Sequence, residues 1–195
     1  MIRIFDFFAS LIGLILLSPV MIGLVLLVVI DSGFPVYFVQ ERVGKDGKLF
    51  SLFKFRTMKT GQTSKSLLTI GTQDERITRA GYYLRRFKLD EIPQLFNVML
   101  GDMSFVGPRP EVMKYVELYN ETQKKVLKVR PGITDLASLE YLDEDELLGK
   151  AENPEKTYIE DIMPHKLEIN LKYLEKRNLI TDIGVIIKTI LKILS

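Results

Sequence analysis

The sequence predicts an α+β protein that is rich in helices, with an apolar membrane helix at its N-terminus followed by a small β-hairpin. Three observations support this prediction: an uncharged apolar run at the start of the chain, one pair of β-prone segments, and helical periodicity through most of the remainder. The chain has 195 residues, which suits one domain of ordinary size with its own core. We therefore expect a membrane element at 1–32 and one domain at 33–195.

Composition excludes several classes of site. The chain has no Cys and a single His, His165, so a disulfide scaffold, a zinc ribbon, thiol chemistry and a His-rich metal site are not expected. The 27 Lys and Arg nearly balance the 25 Asp and Glu. This balance hides a basic segment, since residues 42–88 hold 12 Lys and Arg against 3 Asp and Glu.

The apolar run covers residues 7–30, which are 24 residues without a charge, 19 of them apolar. As a helix it would measure about 36 Å, enough to cross a bilayer core of roughly 30 Å. A cleaved signal peptide would have a shorter apolar region and a small-residue cleavage site, whereas this run ends at Ile30-Asp31-Ser32. We therefore expect the run to remain in the protein as a membrane helix.

Ser18 and Pro19 interrupt this run near its middle. Pro19 has no N–H for the carbonyl of Ile15, and its ring crowds that carbonyl, so a kink or break is expected there. The Ser18 hydroxyl can bond to the preceding turn and satisfy a freed backbone group in lipid. The residues alone leave two arrangements open, a kinked helix that spans the membrane and a re-entrant helix that enters and leaves on one face.

The basic segment at 42–88 predicts which side of the membrane the domain occupies. Positive charge close to a membrane helix favours the cytoplasmic side and can lie against anionic headgroups. A nucleic-acid surface would also be basic, but no nucleic-acid motif accompanies the charge, so no nucleic-acid partner is expected.

The C-terminal residues 181–195 form an amphipathic pattern in which Lys188 and Lys192 share a narrow polar stripe and isoleucines fill much of the rest. A helix of this kind suits a membrane interface. The same pattern serves a terminal helix packed on the domain core, and the residues leave the two interpretations open.

The middle of the chain predicts a hairpin, a loop and several helices. Residues 36–40 and 49–55 are β-prone and flank a Gly-rich turn at 44–47, which is typical of a hairpin. Residues 60–74 are polar and predict a loop, and residues 140–155 are acidic and predict an exposed segment. Helices are expected at 77–87, from Asp90 onward, at 111–129 and at 164–177.

Asp90 and Glu91 are the first candidates for chemistry. A purely structural interpretation makes Asp90 the cap of a helix and lets Glu91 complement its dipole. Their neighbours favour a chemical role, because Arg85, Arg86 and Lys88 lie within five residues. An ionised aspartate among cations could attack phosphorus or, with Glu91, hold Mg²⁺.

Two further segments present cations that could contact phosphate. Gly107-Pro108-Arg109-Pro110 is a rigid turn that presents one Arg, although a structural turn with an exposed Arg would look the same. Lys54-Phe55-Arg56 alternates cation and aromatic, which is also the pattern of a strand with one buried face.

Taken in order, these motifs resemble one family. They are Ser18-Pro19, QERVG at 40–44, KFRTM at 54–58, DERITRAG at 74–81, LDEIPQL at 89–95, GDMS at 101–104, VGPRP at 106–110 and RPGIT at 130–134. The chain resembles the bacterial sugar transferases that are small monotopic polyprenol-phosphate phosphoglycosyl transferases. The resemblance is specific up to Thr134 and only general beyond it.

The resemblance implies an enzyme of the first membrane step of bacterial glycan assembly. Such enzymes move a sugar-1-phosphate from a UDP-sugar to undecaprenyl phosphate and release UMP. It also implies a monotopic anchor in the inner (cytoplasmic) membrane, with membrane lipids around it and the catalytic domain on the cytoplasmic face. Ser18 and Pro19 then look like the break that makes the N-terminal helix re-entrant.

The resemblance also implies roles for individual residues. Asp90 looks like the nucleophile of a ping-pong mechanism with a phosphosugar-aspartyl intermediate, and Glu91 looks like its Mg²⁺-linked partner, the two together forming the metal site. The remaining matched candidates are assigned to phosphate and nucleotide binding: Arg85, Arg109, Pro110, Lys54 and Arg56.

One departure leaves the sugar unassigned. After Thr134, many relatives carry a tryptophan and a Gly-Arg-Asn run, whereas this chain continues with Asp135-Leu136-Ala137 and has neither. Two other functions share the same acids and cations: a Mg²⁺-dependent membrane phosphatase or pyrophosphatase, and a membrane-tethered scaffold without activity. The sequence assigns no oligomeric state.

Overall fold

A computed structural model describes residues 1–60 and 74–194 of the chain. The predicted loop at 60–74 therefore lies outside the described residues except for its two ends, and so does Ser195 of the C-terminal stripe. The described elements, in chain order, are α1 (Ile2–Ser32), β1 (Tyr37–Val43), β2 (Leu49–Phe55), α2 (Arg79–Arg86), α3 (Gln94–Leu100), β3 (Ser104–Val106), α4 (Met113–Val116), β4 (Gly132–Thr134), α5 (Leu136–Glu140), α6 (Glu144–Lys150), α7 (Pro154–Thr157), α8 (Met163–Glu175) and α9 (Leu179–Leu194). The helix-rich α+β prediction is confirmed.

The N-terminal apolar run forms one long helix, α1, which continues through Pro19. Among the described residues it is the one helix long and apolar enough to cross a membrane. The Ser18 hydroxyl donates to the Ile15 carbonyl at 2.8 Å, the carbonyl that Pro19 cannot serve. Re-entry into the membrane stays a prediction at this point.

The first turns of α1 are fastened to the domain by two charged side chains. The Arg3 guanidinium donates to the backbone carbonyls of Val98 and Met99 at the end of α3. Asp6 is 2% exposed and accepts from the Ser104 hydroxyl at 2.8 Å and the Phe105 N–H at 3.2 Å. A buried carboxylate with two donors is well satisfied, so this end of α1 lies firmly on the domain.

The last turn of α1 is fastened to the same domain. The Arg56 guanidinium donates to the carbonyl of Ser32 at 2.6 Å and to that of Gly33 at 2.7 Å, at the C-terminal end of the helix. Asp31 accepts from the Ala80 N–H at 3.1 Å, at the start of α2. Both ends of α1 therefore contact one and the same domain.

The predicted hairpin is confirmed as an antiparallel pair, with Tyr37 opposite Phe55 and Val43 opposite Leu49. The other edge of β2 is covered by Asn97 of α3, which is fully buried. Its side-chain amide donates to the Ser51 carbonyl at 2.7 Å, and its oxygen accepts from the Phe53 N–H at 3.1 Å. A side chain thus replaces a neighbouring strand and fixes α3 to the hairpin.

A second, smaller sheet pairs β3 and β4 in parallel, with Ser104 opposite Gly132 and Val106 opposite Thr134. The backbones approach closely just beyond this pair, because a Cβ placed on Gly132 would lie 2.2 Å from the amide nitrogen of Gly107. Glycine is required where two backbones meet at this distance. The contact fixes the turn that carries Arg109.

Two sequence predictions differ from the structure. The prediction of one helix at 111–129 is wrong, because the chain forms the short helix α4 and then a 3₁₀ segment at Gln123–Lys128. The Asn120 side chain accepts hydrogen bonds from the N–H groups of Thr122 and Gln123, and these bonds interrupt the helix. The acidic segment at 140–155 is not wholly exposed, since Leu148 of α6 is 1% exposed and belongs to the core.

The C-terminal helix α9 packs on the domain with one face and exposes another. Val185 is 3% exposed and packs with Val106 and Tyr173. On the other side Ile187 and Leu191 are 52% and 64% exposed. Packing of the terminal helix on the domain core is therefore confirmed, and its role at a membrane interface stays a prediction that the exposed apolar face allows.

Candidate active site

The two candidate acids lie in a short 3₁₀ turn, Leu89–Glu91, between α2 and α3. The expectation that Asp90 caps a helix is wrong, because α3 begins at Gln94 with Pro93 at its N-cap. Lys88 enters the turn in the left-handed region, with φ at 54°. This turn directs both carboxylates inward, and Asp90 and Glu91 are 7% and 8% exposed.

The apolar helix α1 contributes to the packing of this turn. Leu89 and Ile92, on either side of the two acids, pack against the buried face of α1 that contains Leu24 and Val28. The same cluster contains Phe55 of β2 and Leu84 of α2, so the turn is positioned by α1 together with these two elements.

Glu91 is at the centre of an ion-pair cluster. Its carboxylate accepts from Lys54 Nζ at 2.8 Å and from Arg109 Nη2 at 2.7 Å. Burial on its own would raise the pKa of Glu91, but the charges of Arg109 and Lys54 outweigh it and hold the pKa well below its ordinary value. The two ion pairs therefore favour the ionised form of Glu91.

Asp90 is in a different electrostatic environment although it is the next residue. Burial raises the pKa of Asp90, the charge of Lys54 opposes this rise, and the charge of Glu91 adds to it. No hydrogen bond from the described part of the chain reaches its carboxylate. Two adjacent carboxylates whose pKa values are shifted in opposite directions are typical of a site that uses them in different roles.

The two cations reach Glu91 from different parts of the fold. Lys54 lies on β2, and burial lowers the pKa of its ammonium group while Glu91 opposes that change. Arg109 is held through its backbone, since its N–H donates to Asp135 at 2.8 Å, and Asp135 also accepts from the Ser138 N–H at 2.6 Å. The Glu91 carboxylate raises the pKa of Arg109 above its ordinary value.

The other predicted phosphate-binding residues lie around this cluster rather than within it. Arg85 donates to the Asp145 carboxylate at 3.0 Å and is close enough to Asp90 to lower the pKa of that acid slightly. The Pro110 carbonyl accepts from Arg42 Nη1 at 3.1 Å. Arg56 contacts the end of α1 instead, so the structure brings Lys54 and Arg109, but not Arg56, to the carboxylates.

Beside the cluster lies a cleft of about 390 Å³ between α1, the β3–β4 pair and α9. Its charged lining residues are Lys88, Glu91, Arg109, Glu144, Asp145 and Lys166, and the rest of its wall is mainly apolar. This volume is within the range of about 300–1,000 Å³ that is usual for ligand sites.

Sequence reasoning missed two residues of this region. Asp135 is fully buried and orients Arg109, and its position just before α5 is an N-cap pattern that could have been found. Lys166 donates to Glu144 at 2.5 Å across the cleft, from a separate helix, and no local pattern reveals such a pair.

The acids meet the requirements of Mg²⁺ only in part. No group of three or more potential metal ligands occurs among residues 1–60 and 74–194. Mg²⁺, however, is usually held by one or two carboxylates together with substrate phosphates. Asp90 and Glu91 supply that number of carboxylates, so the residues fit a metal that binds with a phosphorylated substrate.

Comparison with known proteins identifies a family for the chain. A family model described as bacterial sugar transferase matches residues 1–195. The chain is 36% identical over 182 residues to the UDP-glucose:undecaprenyl-phosphate glucose-1-phosphate transferase of Escherichia coli, a match that covers 92% of this chain and 37% of that protein. It is 34% identical over 193 residues to the UDP-N-acetylgalactosamine-undecaprenyl-phosphate N-acetylgalactosaminephosphotransferase of Aeromonas hydrophila, covering 97% of this chain and 43% of that protein.

A third relative is the uncharacterized sugar transferase EpsL of Bacillus subtilis, which is 42% identical over 137 residues, or 70% of this chain and 67% of that protein. The chain thus spans less than half the length of the Escherichia coli and Aeromonas hydrophila relatives. The family match extends over the whole chain, and the matched region contains α1, the Asp90-Glu91 turn and the Arg109 turn. The chain therefore belongs to the bacterial sugar transferase family.

Proposed function

We propose that this chain transfers a sugar-1-phosphate from a UDP-sugar to undecaprenyl phosphate and releases UMP, through a phosphosugar-aspartyl intermediate on Asp90. The printed names of the Escherichia coli and Aeromonas hydrophila relatives support the general reaction. The observation that carries the proposal is the buried pair of acids beside a membrane helix, in which Glu91 is neutralised by two cations and Asp90 is not.

The reaction proceeds in two balanced steps. An oxygen of the Asp90 carboxylate attacks the sugar-bearing phosphorus, a P–O bond forms, and the bond from that phosphorus to the bridging oxygen breaks, so that UMP leaves with the electron pair. A phosphate oxygen of undecaprenyl phosphate then attacks the same phosphorus and releases the Asp90 carboxylate. Two steps keep the two anionic substrates from having to meet directly.

The neighbouring residues orient and neutralise the phosphates. Arg109 is the more accessible of the two cations, with 35% of its side chain exposed against 20% for Lys54, so its guanidinium can contact a substrate phosphate while it stays paired with Glu91. Lys54 lowers the pKa of Asp90 and favours the ionised, nucleophilic form. Mg²⁺ held by Asp90 and Glu91 would neutralise charge on the transferred phosphate.

The attachment of α1 supports a re-entrant anchor and a cytoplasmic domain. A helix that spanned the bilayer would place one of its ends on the far side, whereas Arg3 and Asp6 at one end and Asp31 and Ser32 at the other contact the same domain. The chain has no Cys, so single cysteines can be labelled without background. We expect Ile2→Cys and Ser32→Cys to react only from the cytoplasmic side, and labelling of Ile2→Cys from outside would contradict the proposal.

The proposed reaction is tested by following UMP release from a panel of UDP-sugars, with Mg²⁺ and undecaprenyl phosphate present. We expect release with at least one sugar and a loss of at least about 10³-fold in Asp90→Asn. Asp161→Asn is the matched control, because Asp161 is an exposed aspartate outside the cleft. Release of inorganic phosphate without an acceptor would indicate a phosphatase, and an unimpaired cellular role of Asp90→Asn would indicate a scaffold.

A further inference from the structure

The cleft beside the acids is lined in part by α1 and α9, both of which expose apolar side chains. Leu17 of α1, two residues before Pro19, and four residues of α9 line it. The apolar residues that the argument uses are Leu17, Ile92, Leu95, Ile186, Ile190 and Ile193. A wall of this composition offers few hydrogen-bond partners and suits a hydrocarbon ligand.

We propose that this cleft binds the isoprenoid units of the acceptor lipid that lie next to its phosphate, and that α9 is the wall that grips them. The inference rests on the proposed function, because it assigns the occupant of the same site. It extends that function to a segment of the chain beyond Thr134, where the sequence resemblance is only general.

Charge is arranged to orient such a lipid. The cleft is lined by three cations, Lys88, Arg109 and Lys166, and by three carboxylates, Glu91, Glu144 and Asp145, and most of its other lining residues are apolar. Each of the three carboxylates is paired with an Arg or Lys. Lys88 is exposed and forms no ion pair with any residue of 1–60 or 74–194, so its charge is available for a phosphate. A ligand with a phosphate at one end and hydrocarbon beyond it matches this distribution.

Two hydroxyl groups of the cleft wall are paired with each other. Thr134 and Thr189 lie on opposite elements of the cleft, and their hydroxyl oxygens are 2.7 Å apart. A hydrogen bond across the wall leaves these hydroxyls with less capacity to bind a sugar or a base. The lipid is therefore favoured over the nucleotide as the occupant of this part of the site.

Two isoleucines of α9 provide a matched test. Ile190 lines the cleft and Ile187 does not, yet they are 51% and 52% exposed and lie on the same helix. Replacing either residue by serine removes a similar amount of exposed apolar surface and weakens membrane adhesion to a similar degree. Only Ile190→Ser removes a contact with a lipid in the cleft.

The measurement is the KM for undecaprenyl phosphate in detergent, with UMP release before acceptor addition followed in parallel. We expect Ile190→Ser to raise this KM by about 5- to 30-fold, as loss of a buried isoleucine contact implies, and Ile187→Ser to change it by less than about 2-fold. UMP release in the first half-reaction shows that each variant is folded and places the defect of Ile190→Ser in the second half-reaction.

A second measurement uses farnesyl phosphate, a short acceptor that retains the isoprenoid units next to the phosphate. If the cleft grips those units, Ile190→Ser raises the KM for farnesyl phosphate by a similar factor. Equal effects of the two substitutions, or an effect confined to the long acceptor, would mean that α9 acts through membrane adhesion and would overturn the inference. If wild-type protein released no UMP with any donor, the proposed function itself would fail.

Discussion

Replacing Arg109 by methionine removes one of the two cations that neutralise Glu91 while keeping much of the side-chain volume. Arg109 Nη2 is 2.7 Å from Glu91 Oε1, and Glu91 would be left with Lys54 as its single ion-pair partner among the described residues. The buried carboxylate would keep its charge with less compensation, so the variant is expected to be less stable than the wild type.

The size of the effect follows from burial. Removing one partner of a fully buried ion pair costs about 3–5 kcal/mol. The Arg109 side chain is 35% exposed, and solvent screening reduces the expected loss of unfolding free energy to about 1–3 kcal/mol. For a chain of this size each 1 kcal/mol lowers the melting temperature by about 2–4 °C, so Arg109→Met should melt about 2–12 °C below wild type.

The stabilisation that the Glu91–Arg109 ion pair provides should decrease in acid. The pKa of Glu91 is depressed in the folded protein by Arg109 and Lys54, against the effect of burial. Its stabilising contribution is therefore complete above the ordinary pKa of glutamate and is lost as the pH falls through the lower folded value. The difference in melting temperature between wild type and Arg109→Met should be largest near neutral pH and should shrink in strong acid.

Thermal unfolding in detergent, followed by circular dichroism, measures this difference. Arg85→Met is the matched control, because Arg85 pairs with Asp145, whose side chain is 45% exposed, and such a pair contributes about 0–1 kcal/mol. The reasoning would be refuted if Arg109→Met melted within 1 °C of wild type, or if Arg85→Met lost as much stability at neutral pH.

Two further predictions concern the backbone and the nucleophile. Gly132→Ala should lose about 3 kcal/mol or more of unfolding free energy, because its Cβ would meet the Gly107 amide nitrogen at 2.2 Å. The control is Gly184→Ala on α9, where the added Cβ has no atom within 4 Å, so this variant should be neutral or stabilising. Thermal melting compares the two variants, and equal stability would contradict the close contact at Gly132. Lys54→Met should raise the pKa of Asp90 further, because the cation that opposes its rise is lost, and should move the acid limb of the pH profile of UMP release to higher pH. An unchanged limb would mean that Asp90 is not the titrating group.

Local signals were sufficient for part of the fold. The hairpin was predictable because the turn residues at 44–47 lie between two β-prone runs. The helix expected at 164–177 is confirmed as α8, with Pro164 in its first turn, where proline is well tolerated. The helix expected at 111–129 failed because one side chain, that of Asn120, outcompetes the backbone, and periodicity does not register such a contact.

The candidate site could likewise be predicted from the sequence only in part. Asp90 and Glu91 are adjacent in the sequence and were identified together, but their difference in environment depends on Lys54 and Arg109, which arrive from β2 and from the turn after β3. Arg56 was grouped with the phosphate ligands from its motif, although its guanidinium contacts the end of α1. Sequence order identifies the members of such a set, whereas long-range packing decides which of them meet.

The N-terminal helix illustrates a limit of hydropathy. The apolar run predicts a membrane helix but not its path through the bilayer, because both open arrangements have the same composition. The contacts that favour re-entry involve Arg3 and Asp6 before the run and Asp31 and Ser32 at its end. These are tertiary contacts with the domain, and they are absent from any hydropathy pattern.

Intact-mass spectrometry of the protein with Mg²⁺ and several UDP-sugars, in the absence of lipid acceptor, tests the central claim most directly. We expect the mass of the protein to increase by one phosphosugar, and peptide mapping should place this adduct on Asp90. The adduct should be absent from Asp90→Asn and should disappear when undecaprenyl phosphate is added. UMP release that requires the acceptor and leaves no adduct on Asp90 would contradict the aspartyl intermediate and would indicate direct transfer between the two substrates.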